Sequence, residues 1–444
     1  MKRRTFMGGV AMGSLTGFPF FDVVGKTDST ETPGKIIELA GMPLDQLRAR
    51  YHQDLYADFL PLMDHYVIDH RLGGFQCELN EDGTHPDDTK NIVFQGRGIW
   101  VYSYLYNHFG MSPGHLEVAR QAVELIMKSA PSGKDEMWPA KISREGRPLG
   151  LRSATIGGDI SIAEGLGEYS KATGENQYWD MAKKIVLKCV RAYGRPDYSP
   201  DVVAQYGGPP PIKFPGARTQ GAAMILIGAV NSMLEMRQDA ELEGIMGDCV
   251  RAIIEKHFNP EFRLNNELLN HDYSRPDNDL AQFVYPGHCI ETFALLLLEA
   301  LRNKNRALFQ TAAERFRRHA EVALDEVYGG AFRCLNNVDA NQWVLNKALW
   351  VQEELLNACL FVIETTGAEW ARQLYGKIYD YVHSRYYLKR LGYTFWISGG
   401  DRKVTVQPNL TRVEHYHHAR HLMYALLGLD RMIRRDDRAV MRAS

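Results

Sequence analysis

The chain has 444 residues, 45% hydrophobic and 24% charged, with 52 Lys and Arg against 54 Asp and Glu. That is globular composition with length enough for a large core. A formal charge of -2 excludes the sequence-wide basic field of a nucleic-acid binder, and no internal apolar run approaches the roughly 20 residues that a membrane-spanning helix needs.

At the start, Lys2-Arg3-Arg4-Thr5-Phe6-Met7 precedes a weakly hydrophobic, Gly-rich run ending near Phe21. A paired arginine before a mild apolar stretch has the form of a bacterial twin-arginine export signal, which predicts a periplasmic or exported protein. The other reading, a basic start to a buried helix, is disfavoured by Gly8, Gly9, Gly13 and Gly17. Residues 22–41 read as a linker, 42–435 as one domain and 436–444 as a tail.

Helical periodicity dominates the domain. Over residues 304–327, Leu308, Ala312, Phe316, Ala320, Ala323 and Val327 form one apolar stripe between charged positions. Over 285–302, Ile290, Phe293 and the run Ala294 to Leu298 leave almost no polar face, the pattern of a helix buried all round. The two types alternate. Amphipathic helices are predicted to begin near residues 43, 113, 175, 239, 304 and 368, and apolar ones near 90, 157, 218, 285, 345 and 411. A spacing of about 64 residues predicts a repeated helical hairpin, and six of them closing into a ring give an inner and an outer layer.

A second repeat agrees. Leu72-Gly73-Gly74-Phe75-Gln76-Cys77 is echoed 256 residues later by Tyr328-Gly329-Gly330-Ala331-Phe332-Arg333-Cys334. Each Gly-Gly falls between an outer and the next inner helix, where a turn and a short strand are predicted. Long loops at that end and short ones at the other mark the long-loop end as functional.

The unusual polar residues fall at the starts of the apolar helices. Tyr285-Pro286-Gly287-His288 opens one, with Glu291 a turn later on the same face. A carboxylate there fixes one imidazole nitrogen and leaves the other as a base, or simply caps a helix-start histidine. Glu414-His415-Tyr416-His417-His418-Ala419-Arg420-His421 opens the last. The His417/His421 spacing suits zinc, but no H-E-x-x-H or cysteine set completes a site, so a catalytic His417 supported by Arg420 is preferred and no metal is assigned. Arg97 within Phe94-Gln95-Gly96-Arg97-Gly98 sits in an apolar helix and should face a polar cavity or a carboxylate. Lys347 to Glu354 offers Trp350 as a sugar platform or a core residue, and Glu354 as a partner. Asp159 and Arg218 open two further helices, as ligand contacts or as simple helix-start charges.

Six cysteines, Cys77, Cys189, Cys249, Cys289, Cys334 and Cys359, form no Cys-x-x-Cys pair, which argues against zinc knuckles and thioredoxin chemistry. Export permits disulfides, while a folded exported protein equally keeps free thiols.

Together, Gly73-Gly74-Phe75, Gln95-Gly96-Arg97 with Trp100, Pro286-Gly287-His288 with Glu291, Lys347 through Glu354 and Tyr416-His417-x-x-Arg420 resemble the N-acylglucosamine 2-epimerase family, which includes cellobiose 2-epimerases and mannose-type aldose–ketose isomerases. The resemblance implies an (α/α)6 barrel with short β-hairpins in the long loops. It places the catalytic histidine pair on His288 and His417, the helix-borne arginine on Arg97 and the supporting glutamates on Glu291 and Glu354. Trp350, Asp159, Arg218, Lys347 and Arg420 are the expected substrate contacts. The implied activity is epimerisation or isomerisation at C2 of a reducing sugar by proton transfer, with no metal or redox cofactor, and a homodimer is a candidate assembly. Two positions depart from the family. Arg218 to Met224 lacks the extra histidines of cellobiose epimerases, and Leu349 stands where relatives often carry a second tryptophan. A glycoside hydrolase or polysaccharide lyase on the same barrel, using Asp159 and Glu354 as opposed carboxylates, is the alternative enzyme. A non-catalytic carbohydrate-binding barrel is the alternative without chemistry.

Overall fold

The computed structural model describes residues 36–80, 83–199, 201–202, 212–390, 393–396, 413 and 415–443. In chain order the helices are α1 (Leu44–Gln53, extended by π-helical turns at Asp54–Phe59 and Met63–Val67), α2 (Ile92–His108), α3 (Pro113–Met127), α4 (Gly157–Thr173), α5 (Asn176–Tyr193), α6 (Gln220–Met236), α7 (Ala240–Arg251), α8 (Pro286–Arg302), α9 (Arg306–Ala323), α10 (Leu349–Thr366), α11 (Glu369–Arg385) and α12 (His417–Ala443). The even-numbered helices pack side by side, α2 on α4, then α6, α8, α10 and α12, and α12 returns to α2. This closed inner ring, wrapped by the odd-numbered helices, is the (α/α)6 barrel.

Sequence chemistry sets the helix limits. Asn91, Thr219, Asp239 and Asn305 each accept a backbone N–H at the first turn of α2, α6, α7 and α9. Pro286 occupies the first position of α8, where its missing N–H costs nothing. Gly174 and Gly367 close α4 and α10 in the left-handed conformation. Inner-to-outer connections are only a few residues long, whereas each outer-to-inner connection carries the long loop and most of the short antiparallel ribbons. Every inner helix therefore begins at the same end.

The ring is tightest between α2 and α4. A Cβ on Gly96 would lie 2.4 Å from the Ser161 backbone, and one on Gly165 would lie 2.4 Å from the Gly96 carbonyl. The two helices meet backbone to backbone, which requires glycine at both places.

The repeat around Gly73 and Gly329 is a duplicated clasp. Lys90 Nζ donates to Asp69 Oδ2 (2.9 Å) and the Gly73 carbonyl (2.6 Å), while Gln95 makes paired bonds to the backbone of Phe75. In the second copy Lys347 Nζ donates to Asp325 Oδ2 (2.6 Å) and the Gly329 carbonyl (2.7 Å), and Gln352 pairs with the backbone of Ala331. All four clasp glycines have positive φ, which only glycine adopts freely.

Domain limits differ from expectation at both ends. Ile36 and Leu39 are buried, and Glu38–Leu39 pairs with Met42–Pro43, so the end of the predicted linker belongs to the barrel. Burial of those apolar side chains is the reason. Instead of a tail from 436, α12 continues to Ala443. The predicted export signal and most of the linker lie outside the described residues. All six cysteines are buried and none is in a disulfide, and no described helix is long and apolar enough to cross a membrane.

Candidate active site

His288 lies in the first turn of α8. Its ring stacks on Tyr285 at 3.7 Å, and its Nδ1 stands 3.1 Å from Glu267 Oε1. Glu267 comes from the turn between the short strands Leu264–Asn265 and Leu268–Leu269, and the same oxygen accepts the backbone N–H of Gly221 at 3.1 Å. A Cβ on Gly221 would come within 3.0 Å of the imidazole. The ring therefore sits in a slot that a glycine leaves open. Glu291 does not serve His288, as the sequence suggested. It turns to Arg420 Nη2 at 2.7 Å, because a buried guanidinium is a stronger partner for a carboxylate than a neutral imidazole.

His417, the first residue of α12, places its Nδ1 3.0 Å from Glu354 Oε1. Arg420, one turn on, donates from Nη2 to Glu354 Oε1 (2.6 Å) as well as to Glu291, and from Nη1 to the Tyr416 hydroxyl (3.0 Å). Burial pushes the Glu354 carboxyl up, but Arg420 and His417 outweigh it and hold it at about 2. Glu291, Glu354 and His417 bring ligand atoms within 4.8 Å of one another. The geometry suits a cation, and the Arg420 guanidinium is already there, bonded to one oxygen of each carboxylate.

The neighbouring histidines have other roles. His415 Nε2 meets the Phe94 carbonyl (2.8 Å), and His418 Nδ1 meets Glu353 Oε1 (2.5 Å). His421 Nδ1 lies 2.9 Å from Asn357 Oδ1. Burial pushes the His421 imidazole down to about 3. The Nδ1 atoms of His417 and His421, whose spacing suits zinc, thus face different partners, Glu354 and Asn357.

The Trp350 ring lies 5.4 Å from the ring of His417 and 6.1 Å from that of His288. The two imidazoles, 129 residues apart in sequence, thus border one indole. Arg97, half-buried on α2, holds its Cζ 4.6 Å above the Tyr416 ring. The Tyr416 hydroxyl in turn donates to Glu164 Oε1 at 2.7 Å. On their far side Arg420 and Glu164 line a cavity of about 160 Å³ with Tyr104, Asn231, Tyr424 and Arg431, among the later turns of the inner helices.

A model described as N-acylglucosamine 2-epimerase matches residues 73–420. The chain belongs to the N-acylglucosamine 2-epimerase family. The N-acylglucosamine 2-epimerase of Bos taurus is 25% identical over 385 residues, covering 82% of this chain and 88% of its own. That of Homo sapiens is 25% identical over 352 residues, covering 76% and 79%. The structure of cellobiose 2-epimerase from Bacillus thermoamylovorans B4167 superposes with a TM-score of 0.73 at 16% identity, over 86% of this chain and 99% of its own. A D-mannose isomerase superposes with a TM-score of 0.70, also at 16% identity, over 87% and 97%. These two share the fold.

In this family member, three expected substrate contacts are engaged elsewhere. Asp159 is fully buried, ion-paired to Lys188 and bonded by the Trp138 backbone N–H. Lys347 is the cation of the second clasp and is also fully buried. Arg218 donates to the Tyr193 and Gly194 carbonyls and contacts His271 Nδ1 at 2.5 Å, tying its loop to the end of α5. In each case a buried charge has taken the nearest fixed partner, as the cost of leaving it unpaired requires. Glu267 and Glu164 were missed. Glu267 sits in a two-residue link between strands of two separate ribbons, with no periodic signal, and Glu164 looks like an ordinary polar residue of α4.

Proposed function

We propose that the protein moves a proton at C2 of an open-chain reducing sugar, by 2-epimerisation or by aldose–ketose isomerisation. At the coarser level the chain is a carbohydrate epimerase or isomerase of the N-acylglucosamine 2-epimerase family. The observation that carries the finer reading is the pair of carboxylate-backed imidazoles bordering Trp350. Glu267 and Glu354 each accept from Nδ1 and fix the tautomer, leaving Nε2 as the reactive nitrogen. One histidine removes the C2 proton. The other returns a proton to the opposite face of C2, or to C1 for isomerisation. A well-placed base of this kind contributes about 10²–10⁴-fold. Arg97 stabilises the enediolate oxygen, and the indole carries the apolar face of the sugar.

The hydrolase alternative required Asp159 and Glu354 as opposed carboxylates. Asp159 is spent on Lys188, and Glu354 on Arg420 and His417, so neither supports that reading.

Candidate sugars incubated in D₂O and followed by NMR test the proposal. Deuterium should enter at C2, and its entry should be lost in both His288→Ala and His417→Ala. Incorporation that survives both changes refutes the mechanism. For location, we read residues 1–21 as an export signal. Replacing Arg3 and Arg4 by Lys should hold the protein in the cytoplasm on cell fractionation, and unchanged fractionation rejects that reading.

A further inference from the structure

The two arginines of the site are mounted differently. Both hold Cζ 4.6 Å from the Tyr416 ring, but Arg420 also donates to Glu354, Glu291 and the Tyr416 hydroxyl. Among the described residues Arg97 makes no hydrogen bond or ion pair, and its close partner is the face of the Tyr416 ring, 4.6 Å from Cζ. An aromatic face attracts a guanidinium without engaging its five N–H donors. A carboxylate in the same place would take two of them and neutralise the charge.

A ring can do this only if its plane is fixed. Tyr416 is 3% exposed. Its hydroxyl is held from two sides, donating to Glu164 Oε1 and accepting from Arg420 Nη1. Trp100 meets the ring edge-on at 5.4 Å. Glu164 and Arg97 belong to α4 and α2, the pair locked together through Gly96 and Gly165, so the pin and the arginine share one rigid unit. Burial keeps the phenol neutral, with its pKa well above the ordinary value.

We propose that Tyr416, pinned by Glu164, is a positioning residue that holds Arg97 toward the ligand with its donors unspent, so that the site prefers a planar anion at the sugar's reacting end over a neutral group. The inference rests on the reading of Arg97 as the enediolate stabiliser.

The test compares two open-chain probes on the full chain by calorimetry: an aldonate and the matching alditol, in both the gluco and manno series. They share hydroxyls and differ by the planar anion. The wild type should prefer the aldonate. Tyr416→Leu should weaken aldonate binding about 10-fold, the scale of a desolvated cation–π contact, with alditol binding changed less than about 2-fold. Tyr416→Phe, which keeps the ring but loses the pin, should fall between and show a lower kcat at similar KM. If Tyr416→Leu does not fold, Tyr416→Phe alone decides. Equal losses for both probes, or none, overturn the proposal and make Tyr416 a packing residue. A wild type with no preference for the anion instead overturns the role given to Arg97, and this inference with it.

Discussion

Glu267 Oε1 stands 3.1 Å from His288 Nδ1, although the carboxylate belongs to a link between two short ribbons and the imidazole to the start of α8. The carboxylate that orients this base therefore lies upstream of the helix and not on it. Glu267→Gln keeps the shape and removes the charge. It should lower kcat by about 10²-fold, within the range of a general-base contribution, while Glu291→Gln should act chiefly through Arg420. Steady-state kinetics on both variants separates the two, and equal effects would refute the assignment.

Gly221 is the second test of the same slot. A methyl group there would press on the His288 ring at 3.0 Å and on Glu267 Oε1 at 3.2 Å. Gly221→Ala should cost about 10-fold in kcat, because small misplacements of a base are expensive. Its melting temperature should change little, since the displaced ring can tilt into the site. A fully active Gly221→Ala would show that His288 needs no such slot.

Acid should weaken the barrel through Glu354. Its folded-state pKa is depressed, from 4.5 to about 2. Its contribution to stability is therefore fully present above the ordinary carboxylate value and is lost as pH falls from about 4.5 toward 2. Asp69, held low by Arg144 and Lys90 against the effect of its burial, acts in the same direction. Melting curves between pH 6 and 3 should show a steep loss in the wild type and a shallower one in Glu354→Gln. Parallel curves would mean that other groups govern acid unfolding.

Lys347 separates structure from catalysis. As the clasp cation it should behave like Lys90, its counterpart in the first copy. Removing Lys347 leaves the Asp325 carboxylate without its cation, a loss of about 3–5 kcal/mol, whereas Asp69 keeps Arg144 when Lys90 is removed and should lose less. Lys347→Met and Lys90→Met should both lower the melting temperature, with kcat of the folded fraction close to wild type. A Lys347→Met protein that is stable but inactive would restore the substrate role first expected of it.

The barrel was legible because inner and outer helices differ in how much of their circumference is apolar, a pattern that a single sequence carries openly. Its failures have local causes. The stripe ending at Val327 overran α9, which stops at Ala323 because Asp325 is drawn into the clasp, leaving Val327 exposed. At the site, helix-start position told which end a residue occupies but not which way it turns. His288, His417, Arg97, Glu354, Glu291, Trp350 and Arg420 converge, whereas Asp159, Arg218 and Lys347 find structural partners at the same end. Those partners, Lys188, the Tyr193 and Gly194 carbonyls and Asp325, come from other elements, and no spacing rule links them.

Arg420 and Glu164, joined through the Tyr416 hydroxyl, line a hollow. Arg420 and Glu164 therefore stand between the imidazole-bearing end of the inner helices and a second hollow among their later turns. Shaving Arg420 would do more than loosen two glutamates: it would take away part of the wall of that hollow and widen it toward the two imidazoles.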